Sequence, residues 1–135
     1  MITEDYVSFE TAKLLKEKGF DEMTELAYGL EHGHIRNDLP VSYWRNSEIG
    51  EYKFSCPTLQ MAMKWLREKG FYIFVPLEID YDEDERGDKW YHDAAYYPEI
   101  RRVSDGKIMY DDGSLYAEPE QAMEVAIKYC LENLI

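Results

Sequence analysis

The residues best placed to do chemistry are crowded into one short stretch, 78–93. Eight carboxylates (Glu78, Asp80, Asp82, Glu83, Asp84, Glu85, Asp88 and Asp93) meet two cations there, Arg86 and Lys89, so six of the chain's thirteen net negative charges sit together. Asp80, Asp82 and Asp84 are spaced like the first half of an EF-hand loop, whose alternating oxygens converge on calcium. The motif then breaks: Glu85 stands where glycine is needed and Tyr91 where a bidentate carboxylate should close the loop. A frame starting at Asp82 places Gly87 and Asp93 correctly but puts Arg86 at a ligand position, and neither frame has flanking helices. The stretch therefore reads as an exposed, solvated hairpin tip, with no metal or other cofactor expected.

Recognition is the second chemistry this stretch could support. Tyr81, Trp90, Tyr91, Tyr96 and Tyr97 flank the acids, in a chain with 12 tyrosines. Tyrosine and tryptophan suit interfaces because they bury area yet keep a polar handle. They suit half-buried strands equally well. The residues expected to contact a partner are Asp82, Glu83, Asp84, Glu85, Trp90, Tyr91, Tyr96 and Tyr97, the partner being a protein or a second copy of this chain. An acidic inhibitor that mimics nucleic-acid charge is an alternative. Against both stands a plainer role for the charge, which keeps a hairpin tip soluble and discourages edge pairing.

A small metal-dependent or thiol enzyme is the competing class. It would draw on His32, His34, His92 or Cys56. Histidines two apart on an irregular segment define no ligand geometry, and no helical pair four apart exists. Cys56 precedes a helix, where the dipole can lower a thiol pKa, but a structural cysteine fits the position better. Cys130 falls on the apolar face of a helix and reads as core. Glycine-rich phosphate loops, nucleophile elbows and paired cysteines do not occur, and the chain reads as non-enzymatic.

Three helices are expected to position these residues. The first opens at Ser8, a good N-cap, and runs to Lys18 with Gly19 next; Phe9, Ala12 and Leu15 form its apolar stripe. The second follows Cys56-Pro57-Thr58 and ends at Lys69 before Gly70. The third runs from about 119 to 134, with Pro119 at its first position and Ala122, Met123, Ala126, Ile127, Cys130, Leu131 and Leu134 on one face. Between them lie strands: 24–28, 41–45 and 51–55, then a long alternating run over 71–79 that contains Pro76. A further run, 94–103, contains Pro98, and Asp105-Gly106 joins it to 107–110 as a two-residue hairpin turn. The order αβββαβββα predicts a single α+β domain over 1–135. It is a two-layer sandwich, a mostly antiparallel sheet with three helices packed on it.

A length of 135 residues and 45% apolar content suffice for a core. No apolar run approaches the roughly 18 residues of a membrane span, and the first residues lack a signal-peptide pattern. A cytoplasmic protein with no membrane partner is expected, its two cysteines free. The net charge of −13 opposes direct nucleic-acid binding.

Leu15-Lys16-Glu17-Lys18-Gly19-Phe20 recurs, nearly intact, as Leu66-Arg67-Glu68-Lys69-Gly70-Phe71. The recurrence reflects either a duplicated αβββ unit or shared rules for ending a helix.

Three segments carry a likeness to known sequences: Val7–Phe20, Pro57–Glu68 and Ala126–Leu134. They resemble a group of small proteins of gut anaerobes, often encoded in prophage or mobile-element regions and without an assigned activity. The resemblance covers the helices alone and implies a phage-related, cytoplasmic setting.

Overall fold

The computed structural model describes residues 2–31 and 34–135, with backbone alone for 31, 34–44 and 92. Its three helices fall where capping chemistry places them. In α1 (Phe9–Glu17) the Ser8 side chain accepts from the Thr11 N–H, and Gly19 leaves the helix at φ +94°. In α2 (Leu59–Glu68) Thr58 does the same for Met61, and Gly70 exits at φ +104°. A left-handed exit of this kind strains any residue with a Cβ, which is why both helices stop at glycine. Pro119 opens α3 (Pro119–Asn133).

The strands are β1 (Thr24–Glu31), β2 (His34–Trp44), β3 (Lys53–Cys56), β4 (Phe71–Phe74), β5 (Leu77–Glu83), β6 (Lys89–Tyr96), β7 (Glu99–Arg102) and β8 (Ile108–Tyr110). All described pairings are antiparallel. The α+β class therefore holds, but the αβββαβββα order and the one-sheet sandwich do not. Among the described residues eight strands form three sheets, ordered β2-β1-β3, β4-β7-β8 and β5-β6.

Prolines account for the extra strands. The run 71–79 stops at Phe74 and restarts at Leu77 around Pro76; the run 94–103 breaks between Tyr96 and Glu99 around Pro98. Each proline removes a ladder donor, and the two breaks lie opposite one another. Phe74 pairs with Glu99 and Leu77 with Tyr96, an advance of three on both sides, so the register survives the gap. The Tyr97 N–H donates to the Pro76 carbonyl across it at 3.3 Å. The turn after β7 also differs from expectation. Arg102 N–H donates to the Lys107 carbonyl at 2.9 Å, closing a four-residue loop over 103–106 in place of a two-residue turn.

One core joins the helices to the two three-stranded sheets. Ala12 and Leu15 of α1, Leu59, Ala62 and Leu66 of α2, and Ala126, Ile127, Cys130 and Leu131 of α3 meet Phe54, Ile73 and Ile100 from the strands. The alanines let α3 approach α1 and α2 closely. Glu124 of α3 also serves α1 directly, its Oε1 accepting from the Ser8 N–H at 3.0 Å and the Thr11 hydroxyl at 2.6 Å. This carboxylate meets the positive end of the α1 dipole.

The recurrence around Gly19 and Gly70 is realised as two equivalent helix endings. The sheets that follow differ in order, with β1 central in one and β7 in the other.

Candidate functional site: an exposed two-stranded arm

Beyond the paired prolines the chain continues as the ribbon β5-β6, which belongs to neither larger sheet. Every described residue from Leu77 to Asp93 is exposed. At its base the ribbon is fastened to the body by Tyr96 and Tyr116, which exchange backbone hydrogen bonds of 2.8 and 2.7 Å.

Directly opposed residues of an antiparallel pair share a face, and neighbours along a strand alternate. Leu77 opposes Tyr96, Ile79 opposes Ala94 and Tyr81 opposes Tyr91. These six line one face as an apolar stripe. Leu77, Ile79, Tyr81 and Tyr91 are 52%, 46%, 49% and 67% exposed. Glu78, opposing Ala95, and Asp82, opposing Trp90, lie on the other face with Asp80 between them. From Ile79 to Tyr81 β5 advances two residues while β6 advances three, so a bulge at 92–93 twists the ribbon toward its tip.

The tip is a built turn. Asp84 Oδ1 accepts from the backbone N–H groups of Arg86 and Asp88 at 2.9 and 3.0 Å. Gly87 donates to the Asp84 carbonyl at 3.0 Å with φ +87°. Of the two arm cations, Lys89 sits 4.6 Å from the Tyr81 ring centroid, and the Tyr81 and Tyr91 rings lie 5.9 Å apart. The described ion pairs of the body join Arg101 to Glu99, Arg102 to Asp105, and Lys128 to Glu10 and Glu132. They use carboxylates of the body, and Glu78 and Asp80 of the arm stand exposed on β5.

Of the expected contact residues, Asp82, Glu83, Glu85, Trp90 and Tyr91 stand exposed on the outer arm, whereas Asp84 is engaged in shaping the turn. Tyr96 and Tyr97 sit half-buried at the base. Sequence reasoning missed Leu77 and Ile79. Their alternation with Glu78 and Asp80 signals a one-sided strand, which ordinarily means that the body covers the apolar side; here nothing described does.

The thiol chemistry finds little support. Cys56 is buried, and burial pushes its thiol up to about 11. Its sulfur points at the Val7 carbonyl at 3.6 Å, the acceptor that the Tyr28 hydroxyl also uses at 2.7 Å. Cys56 pairs with Leu26 of β1 and His34 with Glu31, five positions along the same strand, which separates their backbones by roughly 17 Å along the strand direction alone. His32 lies outside the described residues, as do the side chains of His34 and His92. Among the described residues no three His, Cys, Asp or Glu side chains converge on a metal-sized site, and Asp80, Asp82 and Asp84 run along a strand into a turn with no helix beside them. No helix among the described residues is long and apolar enough to cross a membrane.

An open groove of about 820 Å³ between α1 and α3 is bordered by Phe9 and Leu14. Lys128 pairs across it with Glu10 at 2.8 Å. Comparison with protein-family models, curated proteins and solved structures yields no match.

Proposed function

We propose that this chain is a non-enzymatic protein-interaction module whose arm, Leu77–Tyr96, is the element presented to a protein partner. The observation that carries this reading is the apolar stripe Leu77-Ile79-Tyr81-Tyr91, open to solvent on a ribbon only two strands wide. Such a ribbon is marginal alone, and a sheet becomes stable when a third strand or another surface covers its apolar face. Exposed, rigid aromatic side chains on a fixed scaffold are also what binding hot spots are made from. The likeness of the helices to prophage-associated proteins fits a cytoplasmic accessory protein of phage or mobile-element origin.

The test is comparative capture from the native host. Replacing Tyr81, Trp90 and Tyr91 with serine should remove proteins that the wild type retains. Tyr52→Ser, an equally exposed tyrosine on the body, should leave them in place. Identical capture by all three proteins would show that the arm is not the contact.

A further inference from the structure

We propose that the outer edge of β5 accepts an extended segment of a partner protein as a third strand, and that this segment alternates cationic with apolar residues. The inference rests on the arm being the recognition element and names what that element recognises. Among the described residues β5 pairs with β6 alone, while the far edge of β6 is bridged at its base by Tyr116. The free backbone N–H and C=O groups of β5 are therefore the side on which the ribbon can grow, and strand addition to such an edge is a recurrent mode of peptide capture.

The two faces of β5 then dictate what the added strand must be. Its side chains would continue both faces, one row beside Leu77, Ile79 and Tyr81 and the other beside Glu78 and Asp80. Opposite charges side by side across strands stabilise a sheet, and like charges destabilise it. A second copy of β5 with its apolar row on the stripe would set its own Glu78 and Asp80 against the same two acids, so self-pairing is opposed. A uniformly apolar strand would desolvate those carboxylates without compensation. Lysine or arginine at every second position, with valine-like residues between, satisfies both rows. The acid row thus has two effects: it blocks indiscriminate edge pairing and selects a basic occupant.

Three labelled peptides of equal length serve as probes, alternating Lys/Val, Lys/Ser and Glu/Val. Each is titrated against the intact chain by fluorescence anisotropy, with hydrogen exchange following the β5 amides. The Lys/Val peptide should bind about tenfold or more tightly than either of the others, protect β5 amides and weaken with added salt. The double change Glu78→Lys with Asp80→Lys should shift the preference to Glu/Val. The same charge change at two exposed body sites, Glu22→Lys with Glu48→Lys, should not.

Equal binding of Lys/Val and Lys/Ser would overturn the proposal, because only bulk charge would then be read. An equal response to the body substitutions would overturn it for the same reason. Protection of β5 by Glu/Val in the wild type would sink the basic occupant while keeping the arm as a docking edge. Absence of β5 protection by every peptide would end the strand-addition idea, and the fate of the arm as a contact would then follow from the aromatic substitutions above.

Discussion

At the scale of single residues, environment decides whether a reactive group is available. Cys56 stands ahead of a helix, a position that can activate a thiol, but it is enclosed beside Tyr28 and near Glu124. Desolvation raises its pKa to about 11, and burial alone raises Cys130 to about 12. Because the thiolate is the nucleophile, neither should react readily at neutral pH. A disulfide reagent at pH 8 should label neither cysteine in the folded protein and both after denaturation. Rapid labelling of Cys56 under native conditions would reopen the thiol-enzyme reading. Local sequence showed that Cys130 is core, since its helical periodicity is unambiguous. It could not show that Glu124 caps α1, because that contact joins residues more than a hundred positions apart and leaves no local pattern.

At the scale of elements, the helices were legible and the sheets only partly so. Ser8, Pro119, Gly19 and Gly70 announce helix ends through chemistry that acts within a few residues, and the structure uses all four as read. The sheets depend on partners. The alternation over 71–79 correctly identified strand but could not reveal that Pro76 and Pro98 would face each other and divide one long hairpin into a sheet-bound root and a free arm. Nor could it show that the arm's apolar side is left open, since alternation reports a one-sided strand and says nothing of what covers it. The arm's turn gives a prediction at this scale. Asp84→Ala removes the acceptor for two backbone N–H groups, at about 1 kcal/mol of local stability. Amide exchange at Arg86 and Asp88 should accelerate several-fold while the melting temperature of the body barely moves, because no described side chain of the arm belongs to the body's core. A large fall in global melting temperature would instead mean that the arm is integral to the body's cooperative unit.

At the scale of the whole molecule, the net charge of −13 makes self-repulsion a general tax on the folded state. Two opposing pH effects follow. Lowering the pH from neutrality toward the isoelectric point near 4.6 reduces that repulsion. Further acidification removes native carboxylate interactions. The Arg102 guanidinium and the Lys107 backbone N–H hold Asp105 at about 2, below its ordinary 3.8. Lys128 lowers Glu10, and hydrogen bonds from Ser47 lower Asp21. A carboxylate whose folded pKa is depressed contributes stability above its unfolded pKa and loses it as the pH falls through the folded value. These groups therefore support the fold at neutral pH and cease to do so between about pH 4 and pH 2. Glu10 and Asp105 are exposed and Asp21 lies at the surface, so their individual effects are small, and the broad rise above them is set by net charge. At low ionic strength the melting temperature should climb as the pH is lowered from 7.5 toward about 5 and drop below about 4. About 0.3 M NaCl should raise the value at pH 7.5 and flatten the climb, because screening shortens the reach of repulsion to less than the spacing between most surface charges. A melting temperature at pH 7.5 that is indifferent to salt would mean that the acids are already neutralised locally, and the arm could not then act as a focused negative surface.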